Sequence, residues 1–131
     1  MRVEDVMLPL DRVPVIPETG LIKVALESMT KHSLGMACIV DPAGMLKAVV
    51  TDGDVRRMLL RVQKPIAALM SDDALIHATT ELLTVTPLTG LRDAVVTMGE
   101  RRIWDLPVIE GDGRLVGVLH LHPAVMKLLP H

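Results

Sequence analysis

The string Ala48-Val49-Val50-Thr51-Asp52-Gly53-Asp54-Val55-Arg56-Arg57 gathers a hydroxyl, two carboxylates and two guanidinium groups within about two helical turns. An apolar strand ends at Thr51 and a helix starts within a turn, so side-chain oxygens and unpaired backbone N–H groups converge there. A nucleotide could use all of them. Asp54 could accept from both ribose hydroxyls, Thr51 with the helix N-terminus could meet a phosphate, and Arg56 or Arg57 could neutralise its charge. The same residues also read as an ordinary cap, with Thr51 or Asp52 satisfying the first N–H groups of a surface helix whose arginines are solvated. Spacing alone leaves both readings open.

The remaining chemistry-bearing residues are weaker candidates. His120-x-His122 would place two imidazoles on one side of a strand, as metal ligands do, but no Cys, Asp or Glu at a fixed spacing supplies a third ligand. A solvated strand end is the simpler reading. His32 and His77 stand isolated and are expected to be exposed. Cys38 lies in the apolar run Met36-Ala37-Cys38-Ile39-Val40 and reads as a small core residue. Met29 and Met98 recur at equivalent helix positions, which is what packing demands, and Trp104 reads as an interface anchor rather than a stacking platform. No nucleophile-base-acid order, no glycine-rich phosphate loop and no acidic pair with a plausible cleft emerges, which argues against an independent enzyme.

The elements that must position the Thr51 string emerge from an internal repeat. Thr19-Gly20-Leu21-Ile22-Lys23-Val24-Ala25-Leu26-Glu27-Ser28-Met29 returns as Thr89-Gly90-Leu91-Arg92-Asp93-Ala94-Val95-Val96-Thr97-Met98, and Pro17 is answered by Pro87. Ile39-Val40-Asp41-Pro42-Ala43-Gly44-Met45-Leu46 is echoed by Val108-Ile109-Glu110-Gly111-Asp112-Gly113-Arg114-Leu115, and Val3-Glu4-Asp5-Val6-Met7 by Ile66-Ala67-Ala68-Leu69-Met70. The division falls at residues 1–62 and 63–131. Each copy predicts short helix, strand, helix, strand, strand, helix. Thr19 and Thr89 are N-cap candidates for the first long helices, and the Asp/Gly turns suit antiparallel hairpins. The closing helices are expected over Gly53 to Leu60 and Pro123 to Leu129. Half a core per copy is too little to stand alone, so an α+β fold follows in which the copies pack about a pseudo-two-fold axis, with ligand clefts between them.

Composition agrees with that economy. The chain has 131 residues, is 50% hydrophobic and only 1% aromatic, with one Trp and neither Tyr nor Phe. Aromatic stacking rows for single-stranded nucleic acid and aromatic cages for quaternary ammonium ligands are thereby excluded. A net charge of −2 offers no footprint for nucleic acid or an anionic membrane. No apolar run approaches the roughly 18 residues of a membrane span and no signal-peptide core opens the chain, so a cytoplasmic protein is expected.

The duplicated unit, the opening Val3-Glu4-Asp5-Val6-Met7 and the signature Thr51-Asp52-Gly53-Asp54 together resemble a tandem pair of CBS domains across essentially the whole chain. The resemblance implies a regulatory module that senses adenosine-type nucleotides in clefts between paired domains, often as a homodimer. It assigns phosphate and ribose to Thr51 and Asp54, and the base pocket to the backbone of Gly35, Met36 and Ala37. Asp52, Gly53, Arg56 and Arg57 complete the expected site. Ser33-Leu34-Gly35-Met36-Ala37 with Thr51-Asp52-Gly53-Asp54-Val55-Arg56-Arg57 is further similar to the CBS tail of bacterial D-arabinose 5-phosphate isomerases. A Thr-Asp-Gly-Asp-x-Arg-Arg string also occurs in the pair attached to some sugar-nucleotide transferases. No isomerase segment lies in these residues, so the catalytic domain is expected in cis or as a partner enzyme. The implied ligands are AMP, ATP or a CMP-sugar, with no cofactor required. The alternatives are a structural dimerisation module with vestigial clefts or the CBS pair of a sugar-phosphate nucleotidyltransferase. In the second copy His120-Leu121-His122-Pro123 stands where the first has Thr51-Asp52-Gly53-Asp54, and a proline cannot replace the ribose-holding carboxylate. One competent cleft is therefore expected.

Overall fold

Two apolar helices, each followed by a hairpin, organise the chain, and the computed structural model describes residues 1–130. Helix α1 (Ile22–His32) buries Ile22, Ala25 and Met29 along one face, and α5 (Leu91–Arg101) buries Leu91, Ala94 and Met98 in the same pattern. Both end in a left-handed residue, Ser33 at φ 54° and Arg102 at φ 55°, neither a glycine. In each the last turn's carbonyls are satisfied: Leu34 N–H bonds Met29 C=O, and Ile103 N–H bonds Met98 C=O. Thr19 and Thr89 do not cap these helices. The N-caps are Leu21 and Gly90, without side-chain cap bonds. The threonines fall in the preceding turns, where the Thr89 hydroxyl accepts from Thr86 N–H instead.

The strands form two three-stranded sheets. In one, β2 (Val15–Pro17) runs parallel to β3 (Met36–Val40), which pairs antiparallel with β4 (Leu46–Thr51). In the other, β1 (Leu8–Pro9) and β5 (Asp105–Ile109) flank β6 (Leu115–His120), both antiparallel. The hairpin turns are those expected. Gly44 and Gly113 take φ of 85° and 96°, and the Asp41 carboxylate accepts from the Ala43 and Met45 N–H groups.

The compact units exchange their leading segments. Val13–Leu82 forms one unit, and Met1–Arg12 joins the chain from Leu83 onward in the other. Strand β1 carries the N-terminal segment onto β6, while the Val3 and Glu4 N–H groups bond the carbonyls of Thr89 and Pro87. In the Val13–Leu82 unit, Ile22 N–H bonds Asp72 C=O and Ala74 N–H bonds Gly20 C=O, tying the segment after α3 (Ile66–Met70) to the start of α1. Each unit has its own core: Ile16, Ile22, Ile39, Val50 and Leu69 in one, Leu91, Met98, Leu106, Val108 and Leu119 in the other.

The copies differ at their beginnings. The first opens with 3-10 turns at Val3–Asp5 and Leu10–Arg12, and the second with α3 and α4 (Ala74–His77). The counterpart of Val3 is Ala74 at the start of α4, not Ile66 as the repeat suggested, since Val3 N–H bonds Thr89 C=O as Ala74 N–H bonds Gly20 C=O. The strand expected before α5 is reduced to a bridge between Val85 and Val108. The closing helices are α2 (Asp52–Arg61) and α6 (Leu121–Leu128), each beginning directly where its strand ends. No helix among the described residues is long and apolar enough to cross a membrane.

Candidate functional site

Strand β4 delivers Thr51 as the N-cap of α2, and the cap is reciprocal. The Thr51 hydroxyl accepts from Asp54 N–H at 3.1 Å, and Asp54 Oδ2 accepts from Thr51 N–H at 2.9 Å and from the Thr51 hydroxyl at 3.1 Å. The other carboxylate oxygen, Oδ1, accepts from Arg57 Nη2 at 2.8 Å and from the Thr79 hydroxyl at 2.8 Å. Asp54 is 6% exposed and is the one charged residue in the buried set of the described chain. Burial alone would push its carboxyl up. The hydrogen bonds from Arg57, the Thr51 backbone, Thr79 and the Thr51 hydroxyl outweigh burial and hold it below the ordinary carboxylate value. Asp54 is therefore a buried anion at neutral pH. A surface cap needs no such burial.

The flanking residues are arranged around this carboxylate. Asp52 N–H bonds Gly35 C=O at 3.0 Å, closing the corner between the chain entering β3 and the first turn of α2. A Cβ at Gly35 would lie 2.7 Å from Asp52 Oδ2, so the absent side chain leaves room for the Asp52 carboxylate. A Cβ at Gly53 would lie 3.2 Å from both terminal nitrogens of Arg57, whose guanidinium lies against that glycine on its way to Asp54. Met36 pairs with Thr51 and Ala37 with Val50 across β3 and β4, and the side chains of Met36 and Ala37 are buried. The expected residues Thr51, Asp54, Arg57, Gly53, Asp52, Gly35, Met36 and Ala37 thus fall on one strand-helix corner. Arg56 is exposed and bonds none of them.

Thr79 was not among the residues expected from sequence. It arrives from the far side of α4, where its N–H and C=O both pair with Val49 of β4. That pairing sets its hydroxyl on Asp54. A threonine in a polar connecting segment carries no periodic signal, and only the bridge to β4 reveals it. A shallow hollow of about 300 Å³ is lined by Leu26, Met29, Thr30, Ser33, Leu34, Gly35 and Asp52. It shares two residues with the corner but touches neither Thr51 nor Asp54, so the side-chain cluster, not the hollow, defines the site.

The equivalent corner of the other unit lacks every member of the cluster. His120 is the N-cap of α6 without a cap bond, Pro123 stands at the position of Asp54, Met126 at that of Arg57, and Leu8, paired with Val118, at that of Thr79. The backbone corner survives, since Leu121 N–H bonds Trp104 C=O as Asp52 N–H bonds that of Gly35. Trp104 is 69% exposed. His120 Nδ1 lies 2.7 Å from Asp105 Oδ1, and His122 is already in α6, so the two imidazoles are not alternate residues of one strand. No group of three or more His, Cys, Asp or Glu side chains suited to a metal occurs among the described residues. His77, expected to be exposed, is mostly buried with Nε2 2.8 Å from Asp72, which also binds Lys64 at 2.7 Å. Cys38 is buried, as expected.

Comparison with known proteins places this corner in context. The family description of the CBS domain matches residues 3–61 and 69–122. Arabinose 5-phosphate isomerase KdsD of Escherichia coli K12 is 33% identical over 127 residues, covering 93% of this chain and 36% of the relative. The chain thus spans little more than a third of the length of the curated relatives it matches. The crystal structure of CBSX2 in complex with AMP superposes with a TM-score of 0.82 at 27% identity, covering 96% of this chain and 94% of that one. The structure of the CBS-pair protein CBSX2 from Arabidopsis thaliana gives a TM-score of 0.81 at 26% identity, over 96% and 92% of the two chains.

Proposed function

Because the chain belongs to the CBS domain family, we propose that it is a non-catalytic regulatory module that senses an adenosine nucleotide or sugar nucleotide through the Asp54 corner. The observation that carries this reading is the buried, ionised Asp54 at the junction of β4 and α2. A carboxylate held in that state is an acceptor for a ribose diol, and the adjoining N-terminus of α2 with Arg57 suits a phosphate. The AMP bound by CBSX2, at 27% identity, supports the ligand class. Thr51, Asp52, Gly53, Arg56 and Arg57 serve the phosphate side, and the backbone of Gly35, Met36 and Ala37 serves the base. The copies of the duplication are residues 1–62 and 63–131, and the first carries the signature.

Binding regulates only if the ligand prefers one of two states, and the enzyme that reads the preference is proposed to be a sugar-phosphate isomerase of the arabinose 5-phosphate type, in cis or as a partner. The 33% identity to KdsD supports that choice. A homodimer is proposed as the working form, supported by the apolar side chains exposed on α1 and α2, Val24, Leu59 and Leu60.

A thermal-shift and calorimetric screen with AMP, ATP and CMP-linked sugars tests the reading. A ligand at 100 times its dissociation constant adds about 2.7 kcal/mol to stability, a shift easily read. The expected result is a shift with at least one of these ligands that disappears in Asp54→Ala. No heat and no shift with any of them would overturn it.

A further inference from the structure

The Asp54 carboxylate has no acceptor position to spare. A carboxylate offers about four lone-pair directions, and here Oδ2 is filled by the Thr51 N–H and hydroxyl while Oδ1 is filled by Arg57 and Thr79. A ligand diol can reach this carboxylate only by displacing a donor already bound to it. The Thr51 bonds belong to the cap of α2, and breaking them would fray the helix. The Thr79 hydroxyl is held in place by the backbone pairing of Thr79 with Val49. Arg57 is different. Its side chain is 44% exposed, and its guanidinium rests on bare Gly53. It is the one donor free to swing away.

We propose that Arg57 is an internal competitor for the ligand at Asp54, so that the corner admits a diol at full strength only from a ligand that also carries an anionic group to receive the displaced guanidinium. This rests on the reading of Asp54 as the ribose acceptor and adds the selection rule for that site. A nucleoside that takes Oδ1 releases Arg57 into water and forfeits the ion pair. A nucleotide that takes Oδ1 presents a phosphate to the released guanidinium, and the ion pair is exchanged rather than lost. Arg57 then discriminates twice, against the uncharged ligand by occupying Asp54 and for the charged one by binding it. The other unit is consistent with this coupling, since carboxylate and guanidinium are replaced together by Pro123 and Met126.

The test compares AMP with adenosine by isothermal titration on the full chain as wild type, Arg57→Met and Arg57→Lys, with thermal melts to verify folding. Arg57→Met installs the residue that the second copy carries at this position. It should bind adenosine about three- to five-fold more tightly than wild type, the factor set by a half-exposed ion pair, and AMP more weakly. Arg57→Lys keeps a cation but loses the planar fork, and it should also gain affinity for adenosine while retaining most of its affinity for AMP. Adenosine affinity that is unchanged or reduced in Arg57→Met, with AMP still bound by wild type, would overturn the competition and leave the ligand reading standing. Absence of binding by either ligand to any of the three proteins would overturn both.

Discussion

Replacing Asp54 by alanine tests the physical description of the corner without any ligand. Four donors lose their acceptor at once: the Thr51 N–H, the Thr51 hydroxyl, the Thr79 hydroxyl and Arg57. Half of a reciprocal cap is worth about 1 kcal/mol, and leaving partly buried donors unsatisfied costs about 1 kcal/mol apiece for the two least able to reach water. The Arg57 pair adds little, because Arg57 is 44% exposed and solvent screens it. Relief from burying a charge offsets part of the loss. The net destabilisation is about 2–3 kcal/mol, or a fall of roughly 10 °C in melting temperature for a chain of this size. Circular dichroism melts at pH 7 measure it.

The pH dependence supplies a second, independent reading of the same variant. The folded pKa of Asp54 is held below its unfolded value by Arg57, Thr51 and Thr79 acting against burial. Its contribution is therefore fully present above the unfolded carboxylate pKa of about 3.9 and is lost as pH falls through that value toward the lowered folded one. The gap between wild type and Asp54→Ala should narrow below about pH 4. Melting of Asp54→Ala within about 2 °C of wild type at pH 7, or a gap unchanged at pH 3, would refute the described network.

Gly117→Ala should lower stability by more than about 2 kcal/mol, because its Cβ would lie 2.5 Å from the Leu8 backbone carbonyl, which the β1–β6 pairing cannot move aside; urea denaturation reads this, and a near-neutral result would mean that β1 does not pair there. Arg102→Gly should raise stability by about 0.5–1 kcal/mol, since a left-handed residue at φ 55° is strained for any side chain but free for glycine. A lower melting temperature would contradict the helix end described. Asp72, whose carboxyl is held below its usual range by Lys64 and then His77, should lend stability that is present above about pH 4 and lost below it. Asp72→Asn should flatten the acid limb of a pH-dependent denaturation series, and a limb identical to wild type would dispose of the pairing.

Much of this architecture was legible because it is written in local patterns. Ile22, Ala25 and Met29, and then Leu91, Ala94 and Met98, recur at helical spacing, and the Asp-Pro-Ala-Gly and Glu-Gly-Asp-Gly turns announce their hairpins. The Thr51-to-Asp54 cap was legible for the same reason, since both partners lie within one turn. Exchange of the leading segments was not. A two-residue strand such as Leu8–Pro9 has no periodicity, and which sheet it joins is decided by the edge of β6 and not by its own sequence. Thr19 and Thr89 misled because a threonine before a glycine looks like a cap whether or not the turn brings its hydroxyl to the helix. His77 misled because its partner Asp72 lies across a turn that the repeat did not predict.

What the exchanged leading segments bring to each corner helps explain why only one is complete. Sequence similarity pairs Val3 with Ile66, but the backbone pairs Val3 with Ala74: the Val3 N–H bonds Thr89 C=O as the Ala74 N–H bonds Gly20 C=O, and the Leu91 N–H bonds Met1 C=O as the Ile22 N–H bonds Asp72 C=O. The segment with α4 buries Ala74 in the core of the Val13–Leu82 unit, as the N-terminal segment buries Val3 in the other, and leads Thr79 into its pairing with Val49. The corresponding place on β6 is filled by Leu8, which has no hydroxyl to give. The leading segment of the second copy thus donates to the signature of the first copy the group that helps keep its carboxylate ionised while buried. If so, Thr79→Val, which removes the hydroxyl and keeps the shape, should destabilise by about 1 kcal/mol and steepen nothing else in the melt. A larger loss would assign Thr79 a packing role and leave Asp54 dependent on Arg57 and the cap alone.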